Sequence, residues 1–183
     1  MTLPYFYKNS NSRFLSIEGT DSNEFLQNLI TNDINKCSED NILYSCLLSP
    51  QGKFLSDFFI FKKDKRYLIE THSLFYEKLL KKFNLYKLRA KVNINKVNNL
   101  YSYSVFGELQ KDQDTFIFNT DPRNKNIGLK LIHLKKNPKI LDHFNEINEE
   151  KYHQVLIQNT VPLSHYDLEE NKSLLLENNF ENL

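Results

Sequence analysis

An α+β fold, with mixed or antiparallel sheets and helices packed against them, is predicted by three features of this sequence. The stretch 47–61, LLSPQGKFLSDFFIF, sets two apolar runs on either side of Ser49-Pro50-Gln51-Gly52. Ser, Pro and Gly stand there at the first, second and fourth positions that a type I turn favours, so the stretch reads as a β-hairpin. Segments 21–30 and 73–83 space their apolar residues at the helical period. From Tyr101 onward, Tyr101, Tyr103 and Val105 alternate with serines, and the rhythm becomes that of strands. At 183 residues the chain suffices for one large domain or two small lobes.

Taken in order, the chain opens with an irregular segment and a short strand over 13–17 that ends at Gly19. Asp21 then stands at a helix N-terminus with Glu24 three residues on, the spacing of a capping box, and Phe25, Leu26, Leu29 and Ile30 form the apolar stripe. Thr31-Asn32-Asp33 ends that helix. A polar loop through Asp40 leads into a strand over 42–48 and the hairpin, whose apolar character on both faces places it in the middle of a domain. After a turn at 62–65 a strand returns over 67–70. Ser73 caps a second helix carrying Leu74, Phe75, Leu79, Leu80 and Phe83, and 89–97 reads as a strand. Beyond Tyr101, strands over 115–118 and 127–134 flank Asp121-Pro122-Arg123, where Pro fixes φ and Asp can close an Asx turn. After Pro138 the chain turns polar, and a helix over 149–158 stops before Pro162. The expected division is an N-terminal α+β lobe over 1–100, centred on the hairpin, and a second, β-rich lobe with a returning helix over 101–183.

Composition narrows the function classes. A formal net charge of +1 provides no global field for nucleic acid. Two cationic clusters, Lys62, Lys63, Lys65 and Arg66 and then Lys81, Lys82, Lys87, Arg89 and Lys91, read as solvated faces. No apolar run approaches the roughly 20 residues that cross a bilayer, and the first ten residues lack the pattern of a signal peptide. Cys37 and Cys46 are not spaced as C-x-x-C, and the five histidines are scattered, so no metal site is expected. Cys46, in the run LYSCLL, reads as a small buried hydrophobe. Heavy use of Asn, Lys, Ile, Phe and Tyr, with Ala90 as the sole alanine, matches AT-rich coding. One residue stands apart. Asp57 lies among Phe54, Leu55, Phe58, Phe59 and Phe61, where a carboxylate needs partners to offset desolvation. It faces solvent, meets a lysine, or serves a site.

Several runs also resemble a known family. Ile17-Glu18-Gly19, Asp21, Phe25-Leu26-Gln27-Asn28 and Leu29-Ile30-Thr31-Asn32-Asp33 resemble the opening of the glycine-cleavage T-protein (aminomethyltransferase) superfamily. Pro50-Gln51-Gly52-Lys53 and Leu55-Ser56-Asp57 are in register with it. Three features are similar to its YgfZ branch, the folate-binding proteins that assist iron-sulfur cluster assembly or repair. Ser56-Asp57 stands where aminomethyltransferases carry paired aspartates. Asp121-Pro122-Arg123 with Ile127-Gly128 resembles the D-P-R…L-G element, and Val161-Pro162 with 175–183 resembles the approach to the signature K-G-C-Y-x-G-Q-E. That signature is expected within about ten residues after Leu183; neither Cys37 nor Cys46 stands in for its cysteine. The chain is therefore read as the N-terminal part of such a protein, without the C-terminal barrel of the superfamily.

The resemblance implies the two lobes of the aminomethyltransferase folate-binding fold, with tetrahydrofolate as ligand. Aromatic side chains would stack on the pterin and a carboxylate would accept from its ring N–H groups. It offers three positions for that ligand: Tyr152, close to a position where the family places an aromatic residue; Asp57, in the region of the catalytic aspartate; and Gln158, where aminomethyltransferases are often acidic. Read from its helix alone, Tyr152 is equally a surface tyrosine. The implied partners are folate and iron-sulfur proteins or their assembly machinery, with no nucleic acid and no membrane, in the cytoplasm. Two alternatives stay open: an aminomethyltransferase that passes a one-carbon unit to tetrahydrofolate, and a shortened remnant or binding module without activity.

Overall fold

Two five-stranded sheets carry the chain in the computed structural model, which describes residues 4–178 and Phe180. In chain order the elements are β1 (Tyr5–Lys8), β2 (Ser12–Glu18), α1 (Ser22–Gln27), β3 (Leu43–Leu48), β4 (Phe54–Lys63), β5 (Arg66–His72), α2 (Ser73–Lys87) and β6 (Asn93–Val97). They continue as β7 (Tyr101–Phe106), β8 (Thr115–Thr120), β9 (Leu129–His133), β10 (Asn145–Glu146), α3 (Glu149–Gln158) and α4 (Ser164–Asp167). This is an α+β fold of mixed and antiparallel pairing.

Residues 13–98 and 162–183 form one compact unit, with strand order β3-β4-β5-β2-β6. Its centre is the predicted hairpin. The Gly52 N–H donates to the Ser49 carbonyl at 2.9 Å, and Gly52 takes φ 74°, a conformation that costs glycine little. The return to β5 is tighter: Asp64 and Lys65 both have positive φ, as a two-residue hairpin turn requires. Alternate residues of β4 face opposite sides of the sheet. Phe58 and Ile60 join Leu15, Ile17, Leu26, Ile69, Leu79 and Phe83 in the core under the helices. Each such fully buried side chain contributes about 1.5–3 kcal/mol. The opposite face of β4 carries Asp57, Phe59 and Phe61, and both phenylalanines are buried too. Segment 162–178 returns to this sheet, where the Phe54 N–H donates to the Ser173 carbonyl and the Asn171 N–H donates to the Phe54 carbonyl.

Residues 1–12 and 99–161 form the other unit, with strand order β10-β1-β7-β9-β8. Tyr103, Val105, Leu131 and Leu141 form its core. The break at residues 98 and 99 lies beside the expected lobe boundary, but the two ends of the chain are exchanged relative to a division at residue 100. β1 pairs antiparallel with β7 and parallel with β10, which draws the N-terminus into this unit.

Three local expectations change. Asp21 sits at the N-terminus of α1, but its side chain makes no capping bond; its Oδ2 accepts from the Lys91 N–H at 2.7 Å instead. The cap of α2 is His72, whose Nδ1 accepts from the Leu74 N–H at 3.3 Å, so Ser73 is already helical. Tyr5–Lys8, within the segment expected to be irregular, is a strand. The run 175–183, read as the approach to the family signature, lies partly outside the described residues, and residues 1–3 lie wholly outside them.

Candidate functional site

Asp57 is half-buried on β4, directly across from Cys46 of β3. Its side-chain partners are hydroxyls, where the sequence left open solvent, a lysine or a site. The Tyr44 hydroxyl donates to Oδ2, and the Ser164 hydroxyl donates to Oδ1 at 2.6 Å. The Thr71 hydroxyl donates to the Asp57 carbonyl at 2.8 Å, tying β5 to the same point. Hydrogen bonds to an ionised group stabilise by about 1.5–3 kcal/mol each, which offsets the desolvation of this carboxylate. Tyr44 is itself fixed between Phe59, at 5.0 Å between ring centroids, and Phe180, at 5.9 Å. A carboxylate offers about four acceptor positions, so Asp57 retains capacity for further donors.

A histidine pair borders this cluster. His72, at the end of β5, stacks on His165 of α4 with centroids 4.0 Å apart and planes within 8°. Burial and the neighbouring His165 push the His72 imidazole down to about 4, against a smaller upward pull from Asp57, so His72 is neutral at pH 7. Its Nδ1 accepts the α2 N-terminal N–H, which leaves the proton on Nε2. Burial first, and then the Asp57 charge, hold the Cys46 thiol well above its ordinary range, so Cys46 is an inert buried hydrophobe as expected.

Tyr152 lies in the other unit, on the inward face of α3 with Val155 and Leu156. It is only 5% exposed, and so is not a surface tyrosine. Its ring stacks on Tyr7 at 4.3 Å and meets the edge of Phe106. Its hydroxyl oxygen accepts from Ser104 at 3.0 Å and from Arg123 Nη2 at 3.1 Å. Arg123 in turn grips Asp121 with two bonds, Nε to Oδ1 at 3.0 Å and Nη2 to Oδ2 at 2.8 Å, with both side chains more than nine-tenths buried. The Arg123 N–H also donates to Asp121 Oδ1, closing the Asx turn expected of the D-P-R triplet. Behind it, Gly128 has φ 87°, and a Cβ there would stand 2.4 Å from the Val105 carbonyl oxygen. Only glycine lets β9 approach β7 at this point.

Gln158 is exposed at the last position of α3 and takes no part in the Tyr152–Arg123–Asp121 cluster of its own unit. The residues that sequence reasoning missed are Tyr44, Thr71, Ser164 and the two histidines around Asp57. Tyr44 and Thr71 follow from strand register once the sheet is known, whereas Ser164 is 107 positions away and carries no local signal. Among the described residues no group of acidic, histidine and cysteine side chains is arranged to hold a metal ion. None of the described helices is long and apolar enough to cross a membrane.

Residues 8–107 match the family model of the GCVT N-terminal domain. The chain is 34% identical over 94 residues to the mitochondrial iron-sulfur cluster assembly factor IBA57 homolog of Neurospora crassa, covering 48% of this chain and 21% of that protein. The corresponding homolog of Mycosarcoma maydis is 25% identical over 186 residues, 91% of this chain and 46% of its own length. An aminomethyltransferase of Caldanaerobacter subterraneus is 32% identical over 53 residues. Among solved structures, the glycine cleavage system aminomethyltransferase T of Bartonella henselae superposes with a TM-score of 0.75 at 12% identity, covering 94% of this chain and 55% of that one. The matches thus span less than half the length of these curated relatives.

Proposed function

The chain belongs to the family of the GCVT N-terminal domain, and from that membership we propose that it is part of a tetrahydrofolate-binding factor serving iron-sulfur cluster assembly. The observation that carries this reading is the similarity to iron-sulfur cluster assembly factors, one of which aligns along 91% of the chain. Folate enters through the resemblance to the folate-binding branch of the superfamily. Asp57 fits the part of a folate contact. It is half-exposed, oriented by Tyr44 and Ser164, and has acceptor positions left for ring N–H groups. Tyr152 serves the same reading less directly, since its ring and hydroxyl are committed to Tyr7, Ser104 and Arg123. Tyr152 would secure the Asp121–Arg123 turn, and Gln158 would offer a neutral, exposed amide.

The partners in this reading are folate and iron-sulfur proteins or their assembly machinery. Two buried free thiols support a reducing compartment, the cytoplasm in this reading. An aminomethyltransferase is the second reading, favoured by the relatives that carry that name. Against it, the position before Asp57 holds Ser56, which is 2% exposed in the core, so the chain has one carboxylate where that chemistry usually has two. Deleting the gene and measuring iron-sulfur enzyme activities in the cell tests the proposal. Activities should fall, return with the wild-type protein and return only partly with Asp57→Asn. Unchanged activities together with lost folate-dependent turnover on a lipoylated carrier protein would favour the transferase.

A further inference from the structure

Leu74 and Leu85 of α2 are each 63% exposed, and Leu88, in the turn that follows, is 86% exposed. With Lys78 and Lys81 between them, the spacing 74, 78, 81, 85 puts two leucines and two lysines on one stripe three turns long. The stripe runs into a groove of about 400 Å³ between α1 and the end of α2. Phe25, Leu29, Tyr86 and Leu88 form its apolar walls, and Lys87 and Arg89 lie on its rim. Among the described residues, Lys78 pairs with Glu170, whereas no ion pair uses Lys81, Lys82, Lys87 or Arg89. The cationic cluster visible in the sequence therefore surrounds exposed leucines.

We infer that the outer face of α2 and the adjoining groove form a docking surface for an acidic protein segment with apolar anchor side chains, independent of the folate reading. Charge complementarity selects the acidic partner, because Lys81 and Lys82 on the second half of the helix and Lys87 and Arg89 at the groove end enter no ion pair among the described residues. The leucines and the groove supply the desolvated anchor points that charge alone does not. A phospholipid surface fits less well. A flat bilayer covers exposed leucines but does not fill a groove between two helices. Of the two acids lining the groove, Asp21 is engaged by the Lys91 N–H and then by Thr20, which hold its carboxyl below the usual range, and Glu24 shares the lining with two cations, Lys87 and Arg89.

The test uses the full-length protein and a labelled synthetic helix with leucine at every third or fourth position and glutamate between. Fluorescence anisotropy should show saturable binding that weakens with salt, and that falls by about tenfold or more for Leu85→Ser and for Lys81→Glu. Both positions are exposed, so circular dichroism should be unchanged, as should tetrahydrofolate binding. No binding of the peptide, equal binding by the variants, equal binding of a peptide with glutamine for glutamate, or binding of phosphatidylserine vesicles in its place would each overturn the inference. Loss of folate binding with peptide binding intact would strike the functional reading alone.

Discussion

Asp57 and His72 illustrate how single groups set the chemistry of the 13–98 unit. His72 titrates at about 4 in the folded chain, because of burial and then His165, against about 6.5 when unfolded. Between those values the unfolded chain binds more protons, so stability is fully present above about pH 6.5 and is lost as the pH falls towards 4. Urea titrations across that range should show a falling midpoint, and His72→Gln should flatten the slope. An unchanged slope would contradict this assignment. Leu88 provides a second residue-scale test. The Ala90 N–H donates to the Lys87 carbonyl, and Leu88 occupies the second position of that turn with φ 43° and ψ −110°, where glycine is normal. Leu88→Gly should therefore raise stability by about 1 kcal/mol, read from the urea midpoint, and a loss would contradict the strain.

At the scale of elements, the turn from Asp121 to Arg123 depends on one buried ion pair and one buried tyrosine. Arg123→Met would strand the Asp121 carboxylate at 2% exposure, and the expected cost is about 3–5 kcal/mol. Tyr152→Phe removes only a hydroxyl whose two donors need new partners, at about 1–2 kcal/mol. A calorimetric melt of both variants should rank them in that order, and a reversed order would mean that Tyr152 bears more than the turn. This turn was legible because Asx-Pro chemistry is local, and so was the Ser49–Gly52 turn. Other elements depend on distant partners. β1 is four residues of adjacent aromatics and lysine without alternation, and it becomes a strand through pairing with β7. The cap of α2 escaped notice because serine is the commoner cap, whereas here a histidine one residue earlier accepts the N–H.

For the whole molecule, the α+β class and the membership of the GCVT N-terminal domain family were readable from motifs, while the composition of each unit was not. Local period distinguishes strands from helices, but it does not say that the N-terminal strand belongs with residues 99–161, or that 162–178 returns to β4. The candidate site divides in the same way. Asp57 stood out as a carboxylate among phenylalanines, yet the Ser164 hydroxyl that orients it comes from the returning segment. The proposed contact between Asp57 and tetrahydrofolate is tested by calorimetric titration of the full-length protein with tetrahydrofolate, wild type beside Asp57→Asn. The account predicts saturable binding that weakens by about 10- to 100-fold in the variant, as expected for loss of one charged hydrogen-bond acceptor. Equal affinity of the two folded proteins, or no binding by the wild type, would contradict it.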